Sequence, residues 1–71
     1  MYIVQEIQTG GGGQSALLPA LTYAGRGEAE SAYHLALGAA AVSSVAVHAV
    51  LLYDEHGNLL RRECYEHDGE A

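Results

Sequence analysis

Apolar positions along this chain change their period twice. Residues 2–8, YIVQEIQ, are β-branched and aromatic-rich, with Ile3 and Ile7 on one face of an extended segment and Tyr2 and Val4 on the other. That pattern predicts a strand. The glycine run at 10–13 stops it, since glycine tolerates positive φ at every position. Residues 15–23, SALLPALTY, turn apolar again. Pro19 cannot donate to a sheet ladder, so this second strand belongs at an edge or contains a bulge.

The period then lengthens. In residues 25–44, Ala29, Tyr33, Ala36, Leu37 and Ala40 recur at helical spacing and predict one helix with a single apolar stripe. Glu28 and Glu30 are expected in its first turn, where carboxylates favour the positive end of the helix dipole. The expected cap position, Gly25, lacks a side chain that could bond the free N–H groups, and glycine there is a fair substitute. Gly38 weakens the middle by up to about 1 kcal/mol relative to alanine, and its expected use is close approach of another backbone. Ser43 and Ser44 are expected to end the helix, with a strand starting at Val45.

Residues 45–65 form the sharpest local pattern: two apolar runs around Asp54-Glu55-His56-Gly57-Asn58. Gly57 suits the left-handed position after a type I turn, which makes a one-residue bulge. Pairing Asp54 with Asn58 sets Tyr53 against Leu59, Leu51 against Arg61 and Val47 against Tyr65. On the opposite face Leu52 meets Leu60, Val50 meets Arg62 and His48 meets Cys64. One face then offers Val47, Ala49, Leu51, Tyr53, Leu59 and Tyr65, and the other Val50, Leu52, Leu60 and Cys64. Both are apolar.

The element order is therefore β-β-α-β-β, an α+β domain over residues 1–71 with an antiparallel four-stranded sheet and one helix packed on one face. One helix covers one face. The other exposes contiguous apolar surface, which usually marks an interaction site, and Val50, Leu52, Leu60, Leu51 and Tyr53 are the interface candidates until the helix side is known. A symmetric homodimer, by sheet face or sheet edge, is the expected solution. The alternative is that the glycine-rich N-terminal half folds over that face.

Composition supports assembly. A 71-residue chain buries only about 60% of its extended surface, and this one has a single cysteine, no Trp, no Phe and five Tyr. Chains this short often gain stability by oligomerising. Three arginines and no lysine against nine carboxylates give a net charge of −6. A nucleic-acid binder needs cations to neutralise phosphates, so neither nucleic acid nor an acidic membrane is an expected partner. A lone Cys64, no signal-like leader and no apolar run near the ~20 residues of a membrane span point to a soluble cytoplasmic protein.

Little in the chain carries chemistry. The run GGGGQS lacks the lysine of a phosphate-binding loop and the strand–helix setting of a dinucleotide site, so it reads as a hairpin loop. The four histidines and Cys64 are the only credible metal- or ligand-binding set. His48 and Cys64 could offer two ligands across a strand pair, with His34 a third if the helix passes over the sheet, while His56 is at a turn tip and His67 near the C-terminus. Yet a structural zinc needs four ligands and a catalytic one usually three. Cys64 lies between Glu63 and Glu66, which disfavour a thiolate, and a reactive cysteine needs an electropositive setting. No cofactor is implied, and no enzyme is expected.

The runs EAESAYHLALGAAAVSSVAVH and RRECYEH, separated by a strand and an acidic-glycine turn, resemble a group of short bacterial proteins without assigned function. Those proteins are similar in length and often encoded in prophage-like clusters. The likeness covers residues 28–67 and implies no catalytic residue, cofactor or substrate. A polar residue at Gly25 and a proline near Ala46 would be expected in that group, and both are missing here.

Two functions compete. The first is a small interaction or structural protein acting as a homodimer, or with an unidentified protein partner. The second is a small metal- or ligand-binding module built on His48, Cys64 and His34.

Overall fold

A computed structural model describes residues 1–67 of the chain. Its elements are β1 (Tyr2–Thr9), β2 (Ser15–Leu17), β3 (Leu21–Tyr23), α1 (Arg26–Ala41), β4 (Val47–Asp54) and β5 (Leu59–Glu66). All strand pairs are antiparallel, and α1 packs on one face of the sheet, as the α+β reading expects. β1 and β4 pair over their whole length, from Tyr2 against Asp54 to Thr9 against Val47. β5 lies beyond β4, and β2 and β3 share the outer side of β1.

The sheet has five strands, not the four expected. Pro19 is the cause. It has no N–H to contribute, and residues 18–20 leave the ladder, splitting one edge strand into two of three residues each. Leu18 alone holds the gap, donating its N–H to the Glu6 carbonyl at 3.0 Å. The glycine run makes a hairpin loop, with Gly10 N–H on the Gln14 carbonyl and Gly13 at φ +86°. The N-terminal half thus widens the sheet sideways and does not fold over its second face.

Helix α1 is preceded by Gly25, which gives it no side-chain cap. Glu28 occupies its first turn, but Glu30 does not. Glu30 instead accepts from Arg61 Nε at 2.6 Å and Arg26 Nε at 3.3 Å, tying the helix to β5. The helix ends at Ala41, two residues before Ser43, and β4 begins at Val47 rather than Val45. Gly38 does not serve a close approach within the chain, since nothing lies within 4 Å of where its Cβ would stand.

The final hairpin turns where expected and then departs from the expected register. Gly57 donates to the Asp54 carbonyl at 3.0 Å with φ +85°. The Asp54 carboxylate accepts from the backbone N–H groups of His56 and Asn58 and from the Asn58 amide. Tyr53 pairs with Leu59 as read, but the register shifts between Leu52 and Tyr53, and Leu52 pairs with Arg61. Leu60 is the extra residue. A bulge sets two residues against one and re-aims those that follow, so Leu60 packs against the core while Arg61 reaches Glu30. The expected pairs Leu52–Leu60, Val50–Arg62, Leu51–Arg61, His48–Cys64 and Val47–Tyr65 are replaced. Arg62 faces Leu51, Glu63 faces Val50, Cys64 faces Ala49 and Tyr65 faces His48.

The core lies between the sheet and α1. Val4, Val50 and Leu52 meet Ala29, Tyr33 and Ala40, with Tyr2, Tyr23, Leu37, Leu60 and Tyr65 around them. Val50 and Leu52 are fully buried, each stabilising the fold by about 1.5–3 kcal/mol.

Two half-buried carboxylates give the fold an acid-sensitive edge. The Arg61 hydrogen bond holds Glu30 below its ordinary pKa, and the Asn58 hydrogen bonds hold Asp54 below its own. A pKa lowered on folding means that the unfolded chain binds more protons in acid. The stability these groups contribute is therefore complete at neutral pH and lost as pH falls below about 4.3 and 3.9, the ordinary glutamate and aspartate values. Tm measured from pH 7 to pH 3 should fall in that window, and less steeply in Glu30→Gln. An equal slope in Glu30→Gln would remove Glu30 from this account.

Candidate functional site

Among the described residues no helix packs on the second face of the sheet. Side chains alternate along each strand, so the residues between the buried Val4, His48, Val50 and Leu52 point away from α1. Those are Ile3, Gln5, Ile7 and Thr9 on β1 and Val47, Ala49, Leu51 and Tyr53 on β4, all half-buried by their neighbours. Leu17, 69% exposed, and Leu59, 51% exposed, extend the surface onto β2 and β5. Arg62, Cys64 and Glu66 complete it along β5.

Strand pairing lays these residues out in rows. One row reads Leu17, Ile7, Ala49, Cys64. A second reads Thr9, Val47, Glu66, and a third Gln5, Leu51, Arg62. Gln5, the polar group nearest the middle, is already engaged: its Oε1 accepts from the Tyr53 hydroxyl at 3.1 Å, and its Nε2 donates to the Leu18 carbonyl at 3.4 Å. Covering the face therefore leaves that amide partnered, which avoids the cost of burying a bare polar group.

Of the five interface candidates, Leu51 and Tyr53 stand on this open face. Val50, Leu52 and Leu60 do not: they form the core face under α1 and are unavailable to a partner. Ile3 and Ile7 belong to the site as well. Their common face was legible in the sequence, but its continuity with Leu51 and Tyr53 depends on β1 lying beside β4.

The metal-type set does not assemble. His48, 3% exposed, opposes Tyr65 on the helix side, whereas Cys64 opposes Ala49 on the open side. His34 projects from the outer surface of α1 beside Glu30, at 3.7 Å. Among the described residues no three His, Cys, Asp or Glu side chains gather closely enough to hold a metal ion. His48 instead places Nε2 2.7 Å from Glu6 Oε1 on the neighbouring strand. With a carboxylate as acceptor Nε2 carries the proton, and the buried Nδ1 has no partner among the described residues. The pair bridges β1 and β4 at the edge of the core.

A shallow recess of 260 Å³ at the hairpin end is bordered by Met1, Tyr2, Asp54, Glu55 and His56. Its charged groups are spent on each other: the Met1 amine donates to Glu55 Oε1 at 2.6 Å, and Asp54 closes its own turn. Among the described residues no helix is long and apolar enough to cross a membrane.

Both sheet edges are poor docking sites. The β2–β3 edge is broken around Pro19. Along β5, Arg61, Arg62, Glu63 and Glu66 supply the charges with which natural sheets discourage edge pairing. Among the described residues the open face remains the one extended apolar surface of the sheet. No protein-family model matches this chain, and neither the curated proteins nor the solved structures contain a match to it.

Proposed function

We propose that this protein is a small interaction module that works as a homodimer, with the open sheet face as its contact surface and a binding rather than catalytic role. The observation that carries the reading is the continuous apolar surface formed by Ile3, Ile7, Val47, Leu51, Tyr53 and Leu59 on the side of the sheet away from α1.

Size favours a second copy as occupant. Strands of eight residues, rising about 3.3 Å per residue and spaced about 4.8 Å apart over four positions, give a flat footprint of roughly 500 Å². Side-chain relief raises the accessible area above that figure, toward the ~800 Å² per partner of an ordinary stable interface. Two such faces pack about 10 Å apart, as in a sandwich, and bury the same residues in both copies. Each thin monomer core gains a second apolar layer.

Association that accompanies folding makes melting concentration-dependent. Wild-type Tm should rise by several degrees between low and high micromolar protein, while Leu51→Glu should melt at one lower temperature throughout that range. A wild-type Tm independent of concentration would count against the homodimer.

A further inference from the structure

Building on the reading that the open face joins two copies, we infer the direction in which they meet: β5 lies over β5 of the second copy, strands antiparallel, about a two-fold axis running across the strands along the row Leu17, Ile7, Ala49, Cys64. Facing sheets related by a two-fold axis have two broad arrangements. An axis parallel to the strands would set β5 over the broken β2–β3 edge, whose open-face residues are the uncharged Ser15, Leu17 and Thr22. An axis across the strands reverses each strand onto itself.

The charges on the face select the second. Among the described residues only Arg62 and Glu66 are charged there, and neither joins an ion pair with another described residue. They have opposite signs and lie two positions either side of Cys64 on β5. Reversal about Cys64 therefore brings each Arg62 opposite Glu66 of the second copy, twice per dimer. Both side chains are long enough to meet across sheets about 10 Å apart.

The neighbouring rows fit the same operation. The row Thr9, Val47, Glu66 falls on the row Gln5, Leu51, Arg62. Threonine meets an amide, valine meets leucine, and acid meets base. A self-complementary patch is what a two-fold contact requires, and one axis satisfies all three positions. The two charged groups sit on the β5 rim, where they set orientation more than they add affinity.

The test is the dimer dissociation constant of wild type, Arg62→Glu, Glu66→Arg and the double exchange Arg62→Glu/Glu66→Arg, by sedimentation equilibrium. Each single reversal replaces two exposed pairs with two like-charge contacts and should weaken the dimer about tenfold. Glu66→Arg is the sharper variant, because it lowers the net negative charge and would strengthen the dimer if only general repulsion mattered. The double exchange should return to within about threefold of wild type.

A short bismaleimide should also link the Cys64 thiols of wild-type dimers, which stand beside the axis. If wild type dimerises but the single reversals bind normally, or the double exchange fails to recover, this axis is wrong and the sheet-face dimer stands. A wild-type chain that stays monomeric overturns both.

Discussion

Leu52→Glu is expected to unfold the protein, whereas Leu51→Glu, one residue away, should leave it folded and monomeric. Leu52 is fully buried on the α1 side of β4, against Val4, Tyr33 and their neighbours. A carboxylate there removes about 1.5–3 kcal/mol of apolar burial and adds several more for an unpaired charge out of water. A domain of this size has roughly 5 kcal/mol to lose. Leu51 points the other way, where a carboxylate can stay solvated in the single chain. Its cost falls on the dimer instead, since closing the interface would trap two like charges near each other. Far-ultraviolet circular dichroism should separate the two variants: native-like for Leu51→Glu, unfolded for Leu52→Glu. The opposite result would reverse the assignment of the faces.

The second large effect is at Tyr33. Its ring, 3% exposed, is the largest side chain that α1 inserts into the core, and the other buried helix residues, Ala29 and Ala40, are small. Burial, followed by the nearby Glu63 charge, holds its phenol above the ordinary pKa. Tyr33→Ala leaves a cavity between helix and sheet and should cost about 3–5 kcal/mol, comparable to the whole stability of a small domain. Tyr33→Phe keeps the ring and should stay within about 1 kcal/mol of wild type. Denaturant melts of the two variants check both numbers. A mild Tyr33→Ala would mean that α1 is held mainly by Glu30 and Arg61 at its rim.

Legibility in the sequence followed the local physics. The Asp54–Asn58 turn could be read because Gly57 and the Asp54 carboxylate specify it within five residues. The buried face of α1 could be read because helical spacing aligns Ala29, Tyr33 and Ala40. Pro19 marked an interrupted edge strand but not whether it would remain one element.

The register beyond Tyr53 could not be read, and the reason is specific. A one-residue slip normally moves apolar side chains to the wrong face. Here Leu59 and Leu60 are adjacent, and the rest of β5 is mostly charged, so apolar pattern alone penalises neither register. Contacts distant in sequence decide between them: Arg61 to Glu30 on the helix, and Leu60 against the core. That slip separated His48 from Cys64 and dissolved the apparent ligand pair.

The choice of face was equally non-local. Leu51 and Leu52 are identical in type and adjacent, and only the seating of α1 distinguishes them. The Glu6–His48 pair and the contribution of Ile3 and Ile7 to the open face both follow from β1 lying beside β4, with 42 residues separating Glu6 from His48. No local signal encodes that adjacency.

Sedimentation velocity on wild type and Leu51→Glu, side by side at micromolar to tens of micromolar protein, tests the central claim most directly. The open face predicts a wild-type species at twice the 7.5 kDa chain mass, and a folded Leu51→Glu species at the single-chain mass. Wild type sedimenting at the single-chain mass throughout that range, or Leu51→Glu remaining at twice it, would contradict the claim.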